Sequence, residues 1–359
     1  MMVLIIISIT ILLLLNILLV FSLKRLTIEG KNEINEVNIS IVIAAKNEQE
    51  NINLLVQHLK KINYPADKFE VIFVDDNSTD DTYSRIKEQI NPLKNFYLFD
   101  GNTEEIAGKR DALSLGINKS HFSYILITDA DCRMERDWLK SYSNHFQNGY
   151  EILFGIAPFY MHTSLVNKLS CYENLRSSIL TFSLASLGMP YSAAARNFGF
   201  SKNAFESLGG YAKTIDTKSG DDDLLIREAV KKKMKIGFIT NPGSFVFSET
   251  KNTFSEYLQQ KARHTQTSFH YLLKHQLILG IWHLINLVIL FSPILIFINQ
   301  MFGFLLLGKL VIDFVTVKLT QKKFSYSFKT LEIFYLQIFY ELLLVVHFLN
   351  AKFNKIKWK

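Results

Sequence analysis

Residues 2–23 are almost uninterrupted Ile, Leu and Val, broken only by Ser8, Thr10, Asn16 and Ser22. A helix rises about 1.5 Å per residue, so a run of this length reaches across a hydrocarbon core of about 30 Å. A cleaved leader is the alternative. No basic segment precedes the run and no small-residue cleavage site follows it, so residues 1–25 are read as a transmembrane anchor. Lys24 and Arg25 close the run. An excess of Lys and Arg marks the cytoplasmic flank of a span, which predicts a cytoplasmic polar domain.

Apolar sequence returns only after residue 270. One block covers about 276–298, a second 302–317 with Lys309 and Asp313 inside it, and a third 331–349 with Glu332, Glu341 and His347. Asn299 and Gln300 form a turn short enough for a helical hairpin between the first two. Lys318, Lys322, Lys323 and Lys329 again mark the cytoplasmic side. The third block either spans or lies in the interface. If it spans, the basic tail Lys352, Lys355, Lys357 and Lys359 is placed outside, against the positive-inside rule. The net charge of +7 gathers here: residues 318–359 hold eight Lys against two Glu. A polybasic stretch beside apolar helices suits anionic lipid heads. No basic stripe with interleaved aromatics crosses the polar middle, so nucleic acid is not an expected partner. The expected organisation is an anchor at 1–25, a linker at 26–37, a catalytic domain at 38–270 and a membrane region at 271–359. A 48% hydrophobic composition and a mean hydropathy of +0.12 agree with a soluble domain joined to a few spans. Cys132 and Cys171 make no disulfide framework and fit a reducing compartment.

Within the polar middle, Ile39–Ala45, Val71–Val74, Phe96–Phe99 and Tyr124–Thr128 are short runs apolar on both faces, as buried parallel strands require. Helical patterns cover about 48–61, 79–91 and 108–118, and Ser78 with Asp81 reads as a capping box for the second. Strand alternating with helix gives an α/β, doubly wound, mostly parallel sheet flanked by transmembrane helices. Ligands of such sheets bind beyond the carboxyl ends of the strands.

Acidic and polar residues crowd those ends. Lys46-Asn47-Glu48 follows the first strand, Asp75-Asp76-Asn77-Ser78-Thr79-Asp80 the second, and Asp129-Ala130-Asp131 the fourth. Asp and Asn are ordinary turn formers, but three such clusters directly after buried strands exceed what turns need. Neither a G-x-G-x-x-G nor a G-x-x-x-x-G-K-[ST] run follows the first strand, which disfavours the usual dinucleotide and P-loop sites. Asp129 and Asp131, flanking one small residue, can share a hard divalent cation, Mg²⁺ or Mn²⁺, which keeps phosphate oxygens in its shell. Lys109 and Arg110 open a helix, where cations and the helix N-terminus favour phosphate. Ser219-Gly220-Asp221-Asp222-Asp223 precedes an apolar helical run and offers either helix caps or a general base. Gln260-Lys261-Ala262-Arg263-His264 is either a basic flank or a bidentate arm for a diphosphate.

Taken in this order the motifs resemble those of glycosyltransferase family 2, GT-A fold, in its membrane-bound branch, over roughly residues 38–270. Ala45-Lys46-Asn47-Glu48 and Val74–Asp80 look like its nucleotide motifs, and Asp129-Ala130-Asp131 like its metal motif. Gly220-Asp221-Asp222 looks like the acidic acceptor motif. Gln260–His264 looks like the Q-x-x-R-W motif of processive synthases, with His264 in place of Trp. Arg196–Phe200 and Gly209-Gly210-Tyr211 are also similar to the family. The resemblance implies a metal-dependent, inverting transferase that moves sugar from a nucleotide-sugar donor to a lipid-linked or glycan acceptor at the cell membrane. By it, Glu48, Asp75, Asp76, Lys109, Asp129 and Arg263 hold the donor and Asp131 with Asp129 the metal. The base is Asp222 by its spacing to Leu225, or Asp221 by its spacing to Arg227. A processive polysaccharide synthase and a non-catalytic scaffold that keeps the nucleotide-sugar fold are the competing readings.

Overall fold

The computed structural model describes residues 2–24, 36–101, 108–214, 217 and 220–353. Arg25, the linker as far as residue 35, Ser219, Lys355, Lys357 and Lys359, which entered the expectations above, lie outside the described residues. In chain order the elements are α1 (Met2–Lys24), β1 (Ile39–Ala45), α2 (Gln49–Lys60), β2 (Phe69–Asp75), α3 (Thr82–Ile90), β3 (Phe96–Asp100), α4 (Lys109–Lys119), β4 (Tyr124–Ile127), β5 (Cys132–Met134), α5 (Trp138–Gln147), β6 (Ile152–Gly155) and α6 (Leu165–Ser186). There follow β7 (Phe198–Ser201), α7 (Lys202–Leu208), α8 (Asp221–Lys231), β8 (Ile236–Ile239), β9 (Val246–Ser248), α9 (Phe254–Ser268), α10 (Leu273–Phe291), α11 (Met301–Thr320) and α12 (Thr330–Phe353). They form two compact units. One comprises Ile28–Ala157 and Ser192–Glu249, the other Met1–Thr27, Pro158–Tyr191 and Thr250–Lys359.

The first of these units is built on a sheet in the order β3-β2-β1-β4-β7-β6-β8. β3, β2, β1 and β4 run parallel, β7 is antiparallel to both β4 and β6, and β6 and β8 are parallel. The sheet is therefore α/β and mostly parallel. Every residue of β2 is buried, as expected of a strand covered on both faces. Ile41, Ile43, Val71 and Phe73 join Ile52, Leu55, Val56 and Leu59 of α2 in the main apolar cluster. On the other face Gly116 brings α4 down onto β1 and β2, because a Cβ there would meet the side chains of Val42 and Val74. Register then fixes the site. Ala45 pairs with Asp75 and Asp75 with Asp100, while Val42 pairs with Ile127, the last residue of β4. The loops after β1, β2 and β4 thus leave the same edge.

The proposed Ser78–Asp81 capping box does not form. Asp81 is the residue before α3 and makes no side-chain cap. The Ser78 hydroxyl instead accepts the Asn47 N–H at 3.0 Å, and the Ser78 N–H donates to Asp75 Oδ2 at 3.0 Å. A short hydroxyl can serve either a helix end or a neighbouring loop. Here it ties the loop after β1 to the loop after β2.

The helical unit packs α1 against α6 and α11, and α12 against α6, α9, α10 and α11. Three helical segments among the described residues are long and apolar enough to cross a membrane: Ile6–Leu23, Leu273–Leu295 and Thr330–Phe353. The block expected at 276–298 is helical to Phe291 and tightens into a 3₁₀ turn at Ser292–Leu295, where Pro293 lacks the N–H an α-helix needs. In α11, Lys309 and Asp313 are each 1% exposed. Its outward residues are Phe304, Leu307, Val311, Val315 and Leu319. Lys309 Nζ donates to Asp313 Oδ2 at 2.6 Å, Asn286 Oδ1 at 2.8 Å and Glu341 Oε1 at 3.1 Å. Arg176 of α6 reaches Asp313 Oδ1 at 3.3 Å. Two cations and two carboxylates thus cancel inside the unit.

Candidate active site

The loops after β1 and β2 are held in a strained but well-bonded form. Asn47 and Asn77 both have positive φ, 56° and 55°, conformations that Asn tolerates better than most residues. The Asn47 carboxamide oxygen accepts the Thr79 N–H at 2.8 Å, and the Thr82 hydroxyl accepts the Glu48 N–H at 2.7 Å. Glu48 precedes α2 and receives a hydrogen bond from Asn51 Nδ2 at 2.7 Å, and Asn51 in turn receives one from Arg133. The carboxylate of Glu48 is therefore oriented before any ligand arrives.

Asp75 and Asp76 are 1% and 5% exposed. One oxygen of Asp75 accepts from Ser78, and Oδ1 of each has no hydrogen-bond partner among the described residues. Lys46 lies 3.8 Å from Asp76 Oδ1, with nearly half its own side chain in solvent. Burial raises the Asp76 carboxyl above its ordinary value, with Lys46 opposing. Buried carboxylate oxygens without donors are costly unless something supplies a hydrogen bond, so this pair is set to receive N–H or O–H groups.

Beyond β4, Asp129 Oδ1 lies 2.5 Å from Lys109 Nζ at the start of α4. Burial would raise Asp129, but Lys109 and, less strongly, Arg196 outweigh it and hold the carboxyl below its usual range. Asp129, Asp131 and Cys132 place ligand atoms within 4.8 Å of one another. The buried Cys132 thiol donates to Asp131 Oδ1 at 3.5 Å, and burial, followed by Asp131 and Asp129, pushes its proton affinity well up. The two carboxylates are hard oxygen donors of the kind Mg²⁺ and Mn²⁺ take. Because Lys109 already neutralises one oxygen of Asp129, Asp131 is the better placed of the two to act as a metal ligand.

Gly220 has φ 83° and turns the chain into α8, so that Asp221, Asp222 and Asp223 fill the first helical turn, where the helix dipole favours negative charge. Each acid has a different environment. Asp221 is ion-paired with Arg110, whose Nη2 also donates to the Thr217 carbonyl at 2.5 Å. Asp223 Oδ1 accepts the Ala193 N–H at 3.0 Å. Asp222 is raised well above the ordinary carboxylate value by burial and then by Asp223 and Asp221. Both Asp221 and Asp222 add to the field at Lys109, which ties the acidic turn electrostatically to the Asp129 site.

The chain matches the glycosyl transferase family group 2 over residues 124–344 and glycosyl transferase family 2 over residues 40–207. The chain belongs to glycosyltransferase family 2. Among curated relatives, a β-monoglucosyldiacylglycerol synthase of Nostoc sp. is 32% identical over 101 residues, 28% of this chain and 22% of that protein. A dolichyl-phosphate β-glucosyltransferase of Dictyostelium discoideum is 31% identical over 112 residues, 29% of this chain and 34% of that one. A poly-β-1,6-N-acetyl-D-glucosamine synthase of Staphylococcus aureus is 30% identical over 99 residues, 28% of this chain and 23% of that one. The chain thus spans between about a fifth and a third of these relatives. The solved structure of a mannosyltransferase from Pyrobaculum calidifontis, in complex with GDP-Man and Mn²⁺, superimposes with a TM-score of 0.60 at 16% identity, covering 98% of this chain and 99% of that one. This is a likeness of fold, and it is the GT-A-like arrangement expected.

In this glycosyltransferase the structure gathers Glu48, Asp75, Asp76, Lys109, Asp129, Asp131, Asp221 and Asp222 in one unit, on the edge where β1, β2 and β4 end and at the start of α4 and α8. Arg263 belongs to the other unit, on α9, where burial lowers its proton affinity from the usual arginine value. Sequence reasoning grouped Arg110 with Lys109 on the phosphate side and did not pair it with Asp221, named Arg196 only within a family motif, and gave Cys132 no place in the site. The signal for Arg110 was present. Neighbouring residues on a helix point about 100° apart, so adjacent Lys109 and Arg110 can serve two different acids.

Proposed function

We propose that this glycosyltransferase moves a sugar from a nucleotide-sugar donor to a lipid-linked or glycan acceptor, by single transfer with inversion at the anomeric carbon. The observation that carries this reading is the convergence on one sheet edge of buried, donor-seeking carboxylates (Asp75, Asp76), a cation on the first aspartate of a D-x-D (Lys109 on Asp129), and an acidic turn at Asp221–Asp223. In this reading Asp75, Asp76 and Glu48 receive the base and ribose. Lys109 faces the diphosphate. Asp131, with Asp129, would hold Mg²⁺ or Mn²⁺, which would supply charge neutralisation for a departing nucleoside diphosphate. The names of the relatives fit: one acts toward a glucosyl lipid, another toward a polysaccharide, and the similar fold was solved with a nucleotide sugar and Mn²⁺.

Asp222 is the proposed base. Its neighbours are engaged, Asp221 by Arg110 and Asp223 by a backbone N–H, whereas burial and the two flanking carboxylates raise the proton affinity of Asp222, the direction that strengthens a base. It takes the proton of the acceptor hydroxyl as that oxygen bonds to the anomeric carbon. The bond from that carbon to the diphosphate breaks, and the nucleoside diphosphate leaves with the electron pair. Replacement of Trp by His264 disfavours the processive alternative. Lys318 in the last turn of α11 and the lysines that follow, Lys322, Lys323 and Lys329, support a cytoplasmic catalytic unit.

The test is nucleotide release by the purified protein presented with UDP-glucose, UDP-N-acetylglucosamine and GDP-mannose. One donor should be turned over, and Asp131→Ala should abolish it. Release by none of them, or release undiminished in Asp131→Ala, refutes the reading.

A further inference from the structure

Cys132 has no part in the proposed transfer, yet it closes the D-x-D turn. Its N–H donates to the Asp129 carbonyl at 3.1 Å, so residues 129–132 form a single tight turn. The turn brings ligand atoms of Asp129, Asp131 and Cys132 within 4.8 Å of one another. Cys132 Sγ lies 3.5 Å from Asp131 Oδ1. A tetrahedral Zn²⁺ with bonds of about 2.3 Å to sulfur and about 2.1 Å to oxygen sets two such ligands roughly 3.6 Å apart. The pair therefore has the spacing this ion needs before any ion binds. Charge points the same way. Lys109 pairs with one oxygen of Asp129, and Arg196 adds a second positive charge to the field there. Two carboxylates against two cations leave nothing to offset a divalent ion. During transfer the donor diphosphate would bring that negative charge. Without a donor, a thiolate at Cys132 supplies it.

We propose that Asp129, Asp131 and Cys132 form a site for a thiophilic divalent cation, Zn²⁺ foremost, which the donor-free enzyme binds more tightly than Mg²⁺ or Mn²⁺. Thiolates select soft and borderline ions, and Zn²⁺ outranks Mn²⁺ on nitrogen, oxygen and sulfur donors alike. On binding, the sulfur bonds to the metal and the S–H proton passes to the buffer. The site shares both aspartates with the proposed Mg²⁺ or Mn²⁺ position, so an ion held by the thiolate excludes the working one. That exclusion rests on the proposed metal role in transfer; the binding does not.

The experiment titrates the full-length, tag-free protein in detergent, with no donor present, with Cd²⁺, whose bond to a thiolate gives an ultraviolet charge-transfer band. The band should saturate at one equivalent, Zn²⁺ should remove it, and excess Mg²⁺ should not. Cys132→Ser should lose the band, and Cys171→Ser should keep it. Outer-shell partners of a metal are worth about 10- to 100-fold in affinity, so loss of a direct ligand in Asp131→Asn should weaken Cd²⁺ binding at least about tenfold. That variant also covers the case in which Cys132→Ser, a change at a wholly buried position, does not fold. No band in the parent, or a band that survives in Cys132→Ser, makes Cys132 a packing residue of the apolar cluster and overturns the proposal. Unchanged Cd²⁺ affinity in Asp131→Asn overturns it too, since a thiol alone would then be the ligand. Cadmium bound as expected, with transfer undiminished by a chelator, instead refutes the proposed metal role and leaves this site standing.

Discussion

Replacing Lys309 by Met should destabilise the helical unit by about 3–5 kcal/mol, the usual range for stranding a buried charge. The ammonium makes three contacts, to Asn286, Asp313 and Glu341. The two that reach other helices, to Asn286 and Glu341, counted at about 0.6 kcal/mol each, amount to only about 1 kcal/mol. The larger effect is charge. Arg176, Lys309, Asp313 and Glu341 sum to zero, and the substitution leaves one buried carboxylate without a counter-ion. Glu341 is the partner left worst off, because its Oε2 already lacks a hydrogen bond among the described residues. Lys309→Met combined with Glu341→Gln restores neutrality and keeps the Arg176–Asp313 pair. It should recover about 2 kcal/mol or more of the loss, since neutral replacement of buried pairs is often tolerated. Reversible unfolding in mixed micelles, titrated with a denaturing detergent, gives both numbers. A single variant within about 0.5 kcal/mol of the parent, or a double variant whose loss is the sum of the singles, would refute the argument from charge balance.

Asp222→Asn should lower transfer on the order of 10²- to 10⁴-fold with donor affinity nearly intact; a larger loss in Asp221→Asn would move the base one residue back. The acid limb of the pH–rate profile should lie above the ordinary carboxylate range, as the raised Asp222 requires, and an unshifted limb argues against this base. A carboxyl raised by folding binds its proton more tightly in the native state, so the stability it contributes is lost as pH rises from the unfolded value through the native one. Asp222→Asn should therefore melt higher than the parent at pH 8, with the gap closing on acidification; a constant gap would contradict the shift. A chelator should abolish turnover, and added Mg²⁺ or Mn²⁺ should restore it; full activity in excess chelator would remove the metal from the scheme. A cysteine placed at exposed Asn91 should react with an impermeant maleimide only after the cytoplasmic face is opened; labelling of intact cells would reverse the proposed orientation.

Much of the fold was legible because the strands carry an unambiguous signal. Ile39–Ala45 is apolar on both faces, and the strand ends where the apolar run ends. The carboxylates were legible for the same reason, since each directly follows such a run. The partners were harder to read. That Lys109 meets Asp129 while Arg110 meets Asp221 depends on α4 standing between the loop after β4 and the start of α8, which no local pattern encodes. Ser78 misled for a simpler reason: the sequence shows a hydroxyl at capping distance from an acid but cannot show the competing N–H of Asn47, 31 residues earlier. The strands after β4 were not read at all. β6 to β9 are only three or four residues long, and three of them, β6, β7 and β9, have an antiparallel neighbour, so neither length nor alternation marks them.

The neutral cluster around Lys309 also has a history. The four helices that share it are made in the order α6, α10, α11, α12. When α11 is synthesised, Arg176 and Asn286 already exist and Glu341 does not. Lys309 nevertheless emerges with a counter-ion, Asp313, one turn away on its own helix. An ammonium and a carboxylate four residues apart can neutralise each other before any neighbour is in place. α11 is thus provisioned with its charges paired internally from the start, and it keeps that pair when α12 brings Glu341 to the same ammonium.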